Sequence, residues 1–157
     1  MHAHNTPHLN SAQTLTDVPA LSYPLLDHPV PAGFPAPALD SSSARIDLNA
    51  QLIKEADATF MVRVVGDSMI EFGIHDGDTL IVDRSVTPAD KHIVLAVLNG
   101  EFTIKQLRRL PEQVLLRAGN SHYQDIPIKD EQDLSIWGVV RWSLHPLIGT
   151  APALNGI

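Results

Sequence analysis

His92-Ile93-Val94-Leu95-Ala96-Val97-Leu98-Asn99-Gly100-Glu101-Phe102-Thr103-Ile104-Lys105-Gln106-Leu107 is the stretch that decides the fold. Two runs rich in β-formers flank Asn99-Gly100, and a two-residue turn of that composition closes a hairpin because both turn positions take positive φ. Strands are therefore predicted over His92–Leu98 and Glu101–Leu107. Working outward, Thr59–Val65 is rich in β-branched and aromatic residues, and Thr79–Val82 comes after the turn-like His75-Asp76-Gly77-Asp78. Gln113–Arg117 and Leu134–Trp142 complete a set of five or six short strands with no long helical period between them. The pattern predicts a mainly β fold, with strongly bent antiparallel sheets over residues 45–145. Arg45–Ile53 reads as a turn and a short helix, and there is no internal repeat.

Residues 1–44 have a different character. They hold seven of the 12 prolines and no Lys or Arg. Each proline removes an N–H donor and biases the preceding residue towards extended geometry, so no helix persists there. This segment reads as a flexible arm, extended near residues 29–38, and residues 146–157 as a C-terminal tail. The 157 residues are 44% apolar, enough for one compact domain with a modest core.

A formal charge of -7, with pI near 5.5, opposes polyanions such as DNA and anionic membranes. There is no cysteine, which excludes a disulfide framework, a thiolate nucleophile and a Cys-based metal site. No apolar run reaches the roughly 18 residues of a membrane span, and the N-terminus lacks the pattern of a secretory signal. A soluble cytoplasmic protein is expected. His2, His4 and His8 read as part of a tail, and the other histidines show no ligand spacing such as His-x-x-x-His. No metal and no cofactor is expected. Asp76, Asp78 and Asp83 read as turn chemistry and solvation, and Trp137 and Trp142, five apart, as one core and one part-exposed side chain.

Gly66-Asp67-Ser68-Met69 falls where a strand ends. Glycine permits a tight turn there, and the serine can project its hydroxyl beyond it. A serine hydroxyl needs a neighbouring base, and a lysine can serve if burial lowers its pKa from about 10.4. Lys105 is the candidate, in a strand whose Thr103, Lys105 and Leu107 share a face. Taken alone, such a lysine reads far more often as a solvated edge residue, and Gly-Asp-Ser-Met more often as a polar turn than as a nucleophile.

The ordered set of motifs is more specific than any member. Gly66-Asp67-Ser68-Met69, Gly73-Ile74-x-Asp76-Gly77-Asp78-x-Leu80-Ile81-Val82-Asp83 and Asn99-Gly100-Glu101-Phe102-Thr103-Ile104-Lys105 together resemble the peptidase domain of the LexA/UmuD family of self-cleaving Ser–Lys peptidases. Ala32-Gly33-Phe34-Pro35-Ala36-Pro37 resembles the family's cleavage segment, and Arg45-Ile46-Asp47-Leu48-Asn49 resembles the stretch just beyond that segment. Asn120-Ser121-x-Tyr123 and Gly138-Val139-Val140 also fit, so the likeness covers roughly residues 30–142. One branch of the family has cysteine where this chain has Ala32; both are small.

The resemblance implies Ser68 as nucleophile, Lys105 as general base, backbone N–H groups of Asp67 and Ser68 as oxyanion donors, and Ala32–Gly33 as the bond cut. It implies stimulation by the RecA–single-stranded-DNA filament in the SOS response. It also implies a homodimer that joins a UmuC-type Y-family translesion DNA polymerase in SOS mutagenesis. A LexA-like or phage-type repressor is the nearest rival, but a helix-turn-helix module would have to fit into about 30 residues without Lys or Arg. A signal-peptidase-like enzyme would need a membrane anchor, and a non-reactive binding module would not need the Ser–Lys pair. Neither sequence-specific DNA binding nor membrane binding is expected.

Overall fold

The computed structural model describes residues 21–26, 29–35, 37–38, 43–129 and 134–149. His2, His4 and His8 lie outside the described residues, as do Ala36 within the cleavage segment and positions 150–157 of the tail. The chain divides into two compact units, residues 1–48 and 49–157.

In the first unit, β1 (Ser22–Leu26) pairs antiparallel with β2 (Ser43–Asp47), Ser22 opposite Asp47 and Leu26 opposite Ser43. The Arg45 guanidinium fastens the open end of this ladder. Its Nε donates to Ser22 Oγ at 2.9 Å and Nη2 donates to the Ser22 carbonyl. Composition does not announce either strand, because Pro24 and the serine run obscure the β pattern. Between them, Ala32–Phe34 make an exposed bend. The short helix expected within Arg45–Ile53 is α1 (Leu48–Leu52), beginning only after β2 has ended.

The second unit is built on one seven-stranded sheet. Its strands are β3 (Thr59–Arg63), β4 (Thr79–Asp83), β5 (Ile93–Leu98), β6 (Glu101–Arg109), β7 (Val114–Arg117), β8 (Ile126–Ile128) and β9 (Leu134–Leu144). Their order is β3-β4-β9-β5-β6-β7-β8, and every neighbouring pair is antiparallel. The predicted hairpin is β5–β6, with Leu98 opposite Glu101 and with Asn99 and Gly100 at φ of 50° and 85°. The mainly β, antiparallel fold expected from the sequence is the fold observed.

The sheet carries apolar side chains on both faces, which is why β5 reads as an unbroken apolar run instead of an alternation. Leu95 packs with Val64, Met69, Ile74, Leu80 and Val82 in one cluster. Its neighbours Val94 and Ala96 point the other way, into a second cluster with Leu107, Leu116 and Val139. Leu80, Leu107 and Leu116 are essentially inaccessible to solvent, and each such side chain contributes about 1.5–3 kcal/mol.

β9 slips register against both neighbours. Against β5 the pairing steps from Leu95–Gly138 to Ala96–Ile136, leaving Trp137 as an extra residue, and against β4 it leaves Arg141 extra. Such bulges re-aim side chains. As a result Trp137 and Trp142 are both part-exposed, 43% and 41%, where a regular strand would have sent them to opposite faces. Two of the three acidic residues read as solvated turn chemistry are also otherwise: Asp78 and Asp83 are fully buried. They are tolerated there because each carboxylate accepts several hydrogen bonds.

Candidate active site

β3 runs into the Ser68 loop through a set of backbone ties. Val64 N–H donates to Asp78 O at 2.9 Å, and Gly77 N–H returns a bond to Val64 O at 3.0 Å. Gly66 then takes a φ of 92°, open to glycine without strain, and its N–H donates to Asp76 Oδ1 at 2.6 Å. The turn delivers Asp67 and Ser68 ahead of a 3-10 turn, Ile70–Phe72, which Gly73 ends in the left-handed region. Met69, 2% exposed, roots the loop in the first apolar cluster.

A second loop clasps the first from the far side. Gly119 N–H donates to Ser68 O at 2.7 Å, and Glu71 N–H donates to Gly119 O at 2.7 Å. Asn120 Nδ2 donates to Asp67 O at 3.0 Å, and the Tyr123 hydroxyl donates to Asp67 Oδ1 at 2.6 Å. That bond holds the Tyr123 phenol above its ordinary value. The approach is close enough that a Cβ on Gly119 would stand 2.3 Å from Phe72 Cδ2 and 3.1 Å from Met69 Cα. The sequence alone marks Asn120 and Tyr123 without giving them a role, and it does not mark Gly119. A glycine directly before Asn-Ser-x-Tyr is the signal that could have found it.

Lys105 arrives from β6. It is 8% exposed, opposite the fully buried Val94 and two residues from the fully buried Leu107. Its Nζ lies 3.0 Å from Ser68 Oγ and 3.0 Å from the Ile104 carbonyl. Among the described residues no carboxylate pairs with it. Burial pushes its ammonium below the ordinary lysine range. The two residues singled out by sequence, 37 positions apart, are therefore in hydrogen-bond contact. A neutral lysine at that distance can accept the serine proton, leaving an oxygen nucleophile at the loop.

Ser68 and Lys105 open onto a cleft of about 510 Å³ whose walls are mainly apolar, including Val62, Val65, Phe102 and Trp137. Phe102 and Trp137 meet edge to face at 4.9 Å, and the Arg84 guanidinium lies over the Trp137 ring. β3, which contributes Phe60, Val62 and Arg63 to the cleft, is an edge strand of the large sheet. An edge strand beside a cleft can receive an extended peptide as an added strand. Ala32 and Gly33 belong to the first unit, in its exposed bend, where a Cβ on Gly33 would meet nothing within 4 Å.

Comparison with known proteins places the chain in a family. The family model described as Peptidase S24-like matches residues 24–141. Protein SamA of Salmonella typhimurium is 42% identical over 122 residues, 78% of this chain and 84% of that protein. Protein MucA of Escherichia coli is 37% identical over 132 residues, 80% of this chain and 88% of that protein. LexA repressor 2 of Pseudomonas syringae pv. tomato is 46% identical over 80 residues, 51% of this chain and 40% of that protein. With most of its length inside the family match, and similar over most of their length to SamA and MucA, the chain belongs to the Peptidase S24-like family.

Proposed function

We infer that the chain is a self-cleaving serine peptidase that cuts its own Ala32–Gly33 bond with Ser68 as nucleophile and Lys105 as base. The observation that carries this reading is the 3.0 Å contact between Ser68 Oγ and a lysine buried, among the described residues, without a counter-charge. In this reaction the segment around Ala32–Gly33 opens from its bend and adds as an extended strand beside β3, and its small side chains on both sides of the bond let Ser68 approach. Lys105 takes the hydroxyl proton as Oγ attacks the Ala32 carbonyl carbon. The oxyanion is met by the N–H groups of Asp67 and Ser68. The C–N bond breaks, Lys105 returns the proton to the Gly33 amine, and water hydrolyses the remaining ester. The products are an arm of residues 1–32 and a mature form, Gly33–Ile157.

A tethered bond has a very high effective concentration, so the reaction must be held off until signalled. The proposed trigger is the RecA–single-stranded-DNA filament formed on DNA damage. The processed homodimer then serves a UmuC-type translesion polymerase in SOS mutagenesis. The repressor reading has less support, since the match to LexA repressor 2 covers 40% of that protein. The test is mass spectrometry of the full chain held at alkaline pH, and at neutral pH with activated RecA. A species beginning at Gly33 is expected in both, and Ser68→Ala and Lys105→Ala should abolish it. Persistence of that species in either variant overturns the dyad, and absence of acceleration by RecA overturns the trigger.

A further inference from the structure

We propose that His75, Asp78 and His145 form a binding site for a divalent transition metal of the zinc type, separate from the Ser68–Lys105 cleft. His75 and Asp78 come from the turn before β4, and His145 directly succeeds β9. Pairing of β4 with β9 sets Thr79 opposite Leu144 and so brings the three side chains together from positions up to 70 residues apart. Their ligand atoms all lie within 4.8 Å of one another. His145 Nδ1 is 2.6 Å from Asp78 Oδ1, His75 Nδ1 is 3.8 Å from Asp78 Oδ2, and the two rings stand 4.8 Å apart.

The set has the parts of a built site. Asp78 is fully buried and cannot wander, while the two imidazoles are about half exposed, at 49% and 45%, and can turn towards an ion. Two further donors fix the carboxylate from the protein side: His75 N–H reaches Oδ2 at 2.8 Å and Ser143 Oγ reaches it at 2.9 Å. Oδ1 is left to the histidine side. Outer partners of this kind orient a metal-ligating carboxylate. Bonds of roughly 2.0–2.2 Å to nitrogen and oxygen in a tetrahedron require ligand atoms a little over 3 Å apart. The present separations bracket that value, so small rotations of the imidazoles suffice. On binding, the metal takes the place of the proton between His145 Nδ1 and Asp78 Oδ1, the imidazole carries its single proton on Nε2 instead, bonds form to Oδ1 and both imidazoles, and water completes the shell. Two imidazoles and one carboxylate favour zinc over magnesium or calcium.

The ion would fasten the end of β9 to the turn that carries the nucleophile strand. Asp76 and Asp78 of that turn hold Gly66 and Val64 through hydrogen bonds of 2.6 and 2.9 Å. The role is structural: bound zinc steadies the approach to Ser68 without touching it.

The experiment uses the full chain carrying His2→Ala, His4→Ala, His8→Ala and His28→Ala, so that arm imidazoles do not compete. Zinc is titrated by calorimetry, cobalt by visible absorption, and thermal unfolding is measured with and without zinc. One equivalent of zinc per chain is expected, with a tetrahedral cobalt spectrum and a rise in Tm on the order of 10 °C at a hundredfold excess over Kd. Adding His145→Ala or His75→Ala should weaken binding at least tenfold and remove the Tm rise. Both positions are half exposed, so these variants fold, and metal-free unfolding verifies it. Undiminished binding in either variant, or no stoichiometric binding in the parent chain, overturns the proposal.

Discussion

Two buried charged groups of the large sheet are treated in opposite ways. Asp83 is fully buried yet accepts bonds from Ser85 N–H at 2.8 Å, Ser85 Oγ at 2.6 Å and Arg141 Nη1 at 3.1 Å. Those donors, the Ser85 hydroxyl first, hold its carboxyl below the usual range despite burial. Lys105 is almost as buried, but its contacts are a hydroxyl and a carbonyl, and burial alone decides its shift. The carboxylate keeps its charge and anchors structure; the lysine is pushed towards losing its charge. Burial by itself does not distinguish the two. The partners supplied at the buried end do.

The sharpest way to break the comparison is Lys105→Met, which keeps the length and removes the titrating group. Cleavage should fall by roughly 10²–10⁴-fold, while the fold becomes more stable at neutral pH. The sign comes from the lowered native pKa. Between the lowered native value and the ordinary lysine value the unfolded chain binds more protons than the native one, so the penalty Lys105 imposes is full below that window, fades as pH rises through it and is gone above it. Urea midpoints across pH, set beside cleavage rates, test both halves. A loss of stability in Lys105→Met would show that the lysine is a structural partner.

Asp83→Ala should do the reverse. It leaves the Ser85 donors and Arg141 without their acceptor, and because both residues are exposed enough for water to replace it, the loss is about 1.5–3 kcal/mol. Its depressed native pKa contributes stability above the ordinary carboxylate value, lost as pH falls through the native value. The variant's acid-unfolding limb should therefore be flatter than the parent's in a pH series of urea melts.

Gly119→Ala is the smallest of the three and tests the clasp instead of the charge. A methyl group 2.3 Å from Phe72 Cδ2 forces the second loop outward, at about 1–3 kcal/mol. The Ser68 carbonyl moves with it, so the rate of Gly33-ended product should fall by more than the stability loss accounts for. Equal stability and rate in the variant would remove Gly119 from the site's support.

Legibility in the sequence obeys the same physics. β5 and β6 are readable because Asn99-Gly100 sets the turn locally and β-branched residues surround it. β1 and β8 are not, because Pro24 and Pro127 interrupt them; proline is tolerated there since each is an edge strand. The serine and the lysine can each be named, but no local pattern states that residues 37 apart will touch. Only the ordered family pattern carries that. The grouping of His75 and Asp78 with His145 has no such pattern behind it, because it depends on the register of β9 against β4.

β9 also carries a consequence for the order of assembly. In the large sheet it is the sole link between the β3–β4 pair and the β5–β8 meander, and it is the last strand among the described residues. Ser68 belongs with the first group and Lys105 with the second. During synthesis, which proceeds N-terminus first at roughly 5–20 residues per second, both residues leave the ribosome before the strand that unites their halves. The ladder that joins the Ser68 half of the sheet to the Lys105 half is therefore the last part of the sheet to become available to the growing chain.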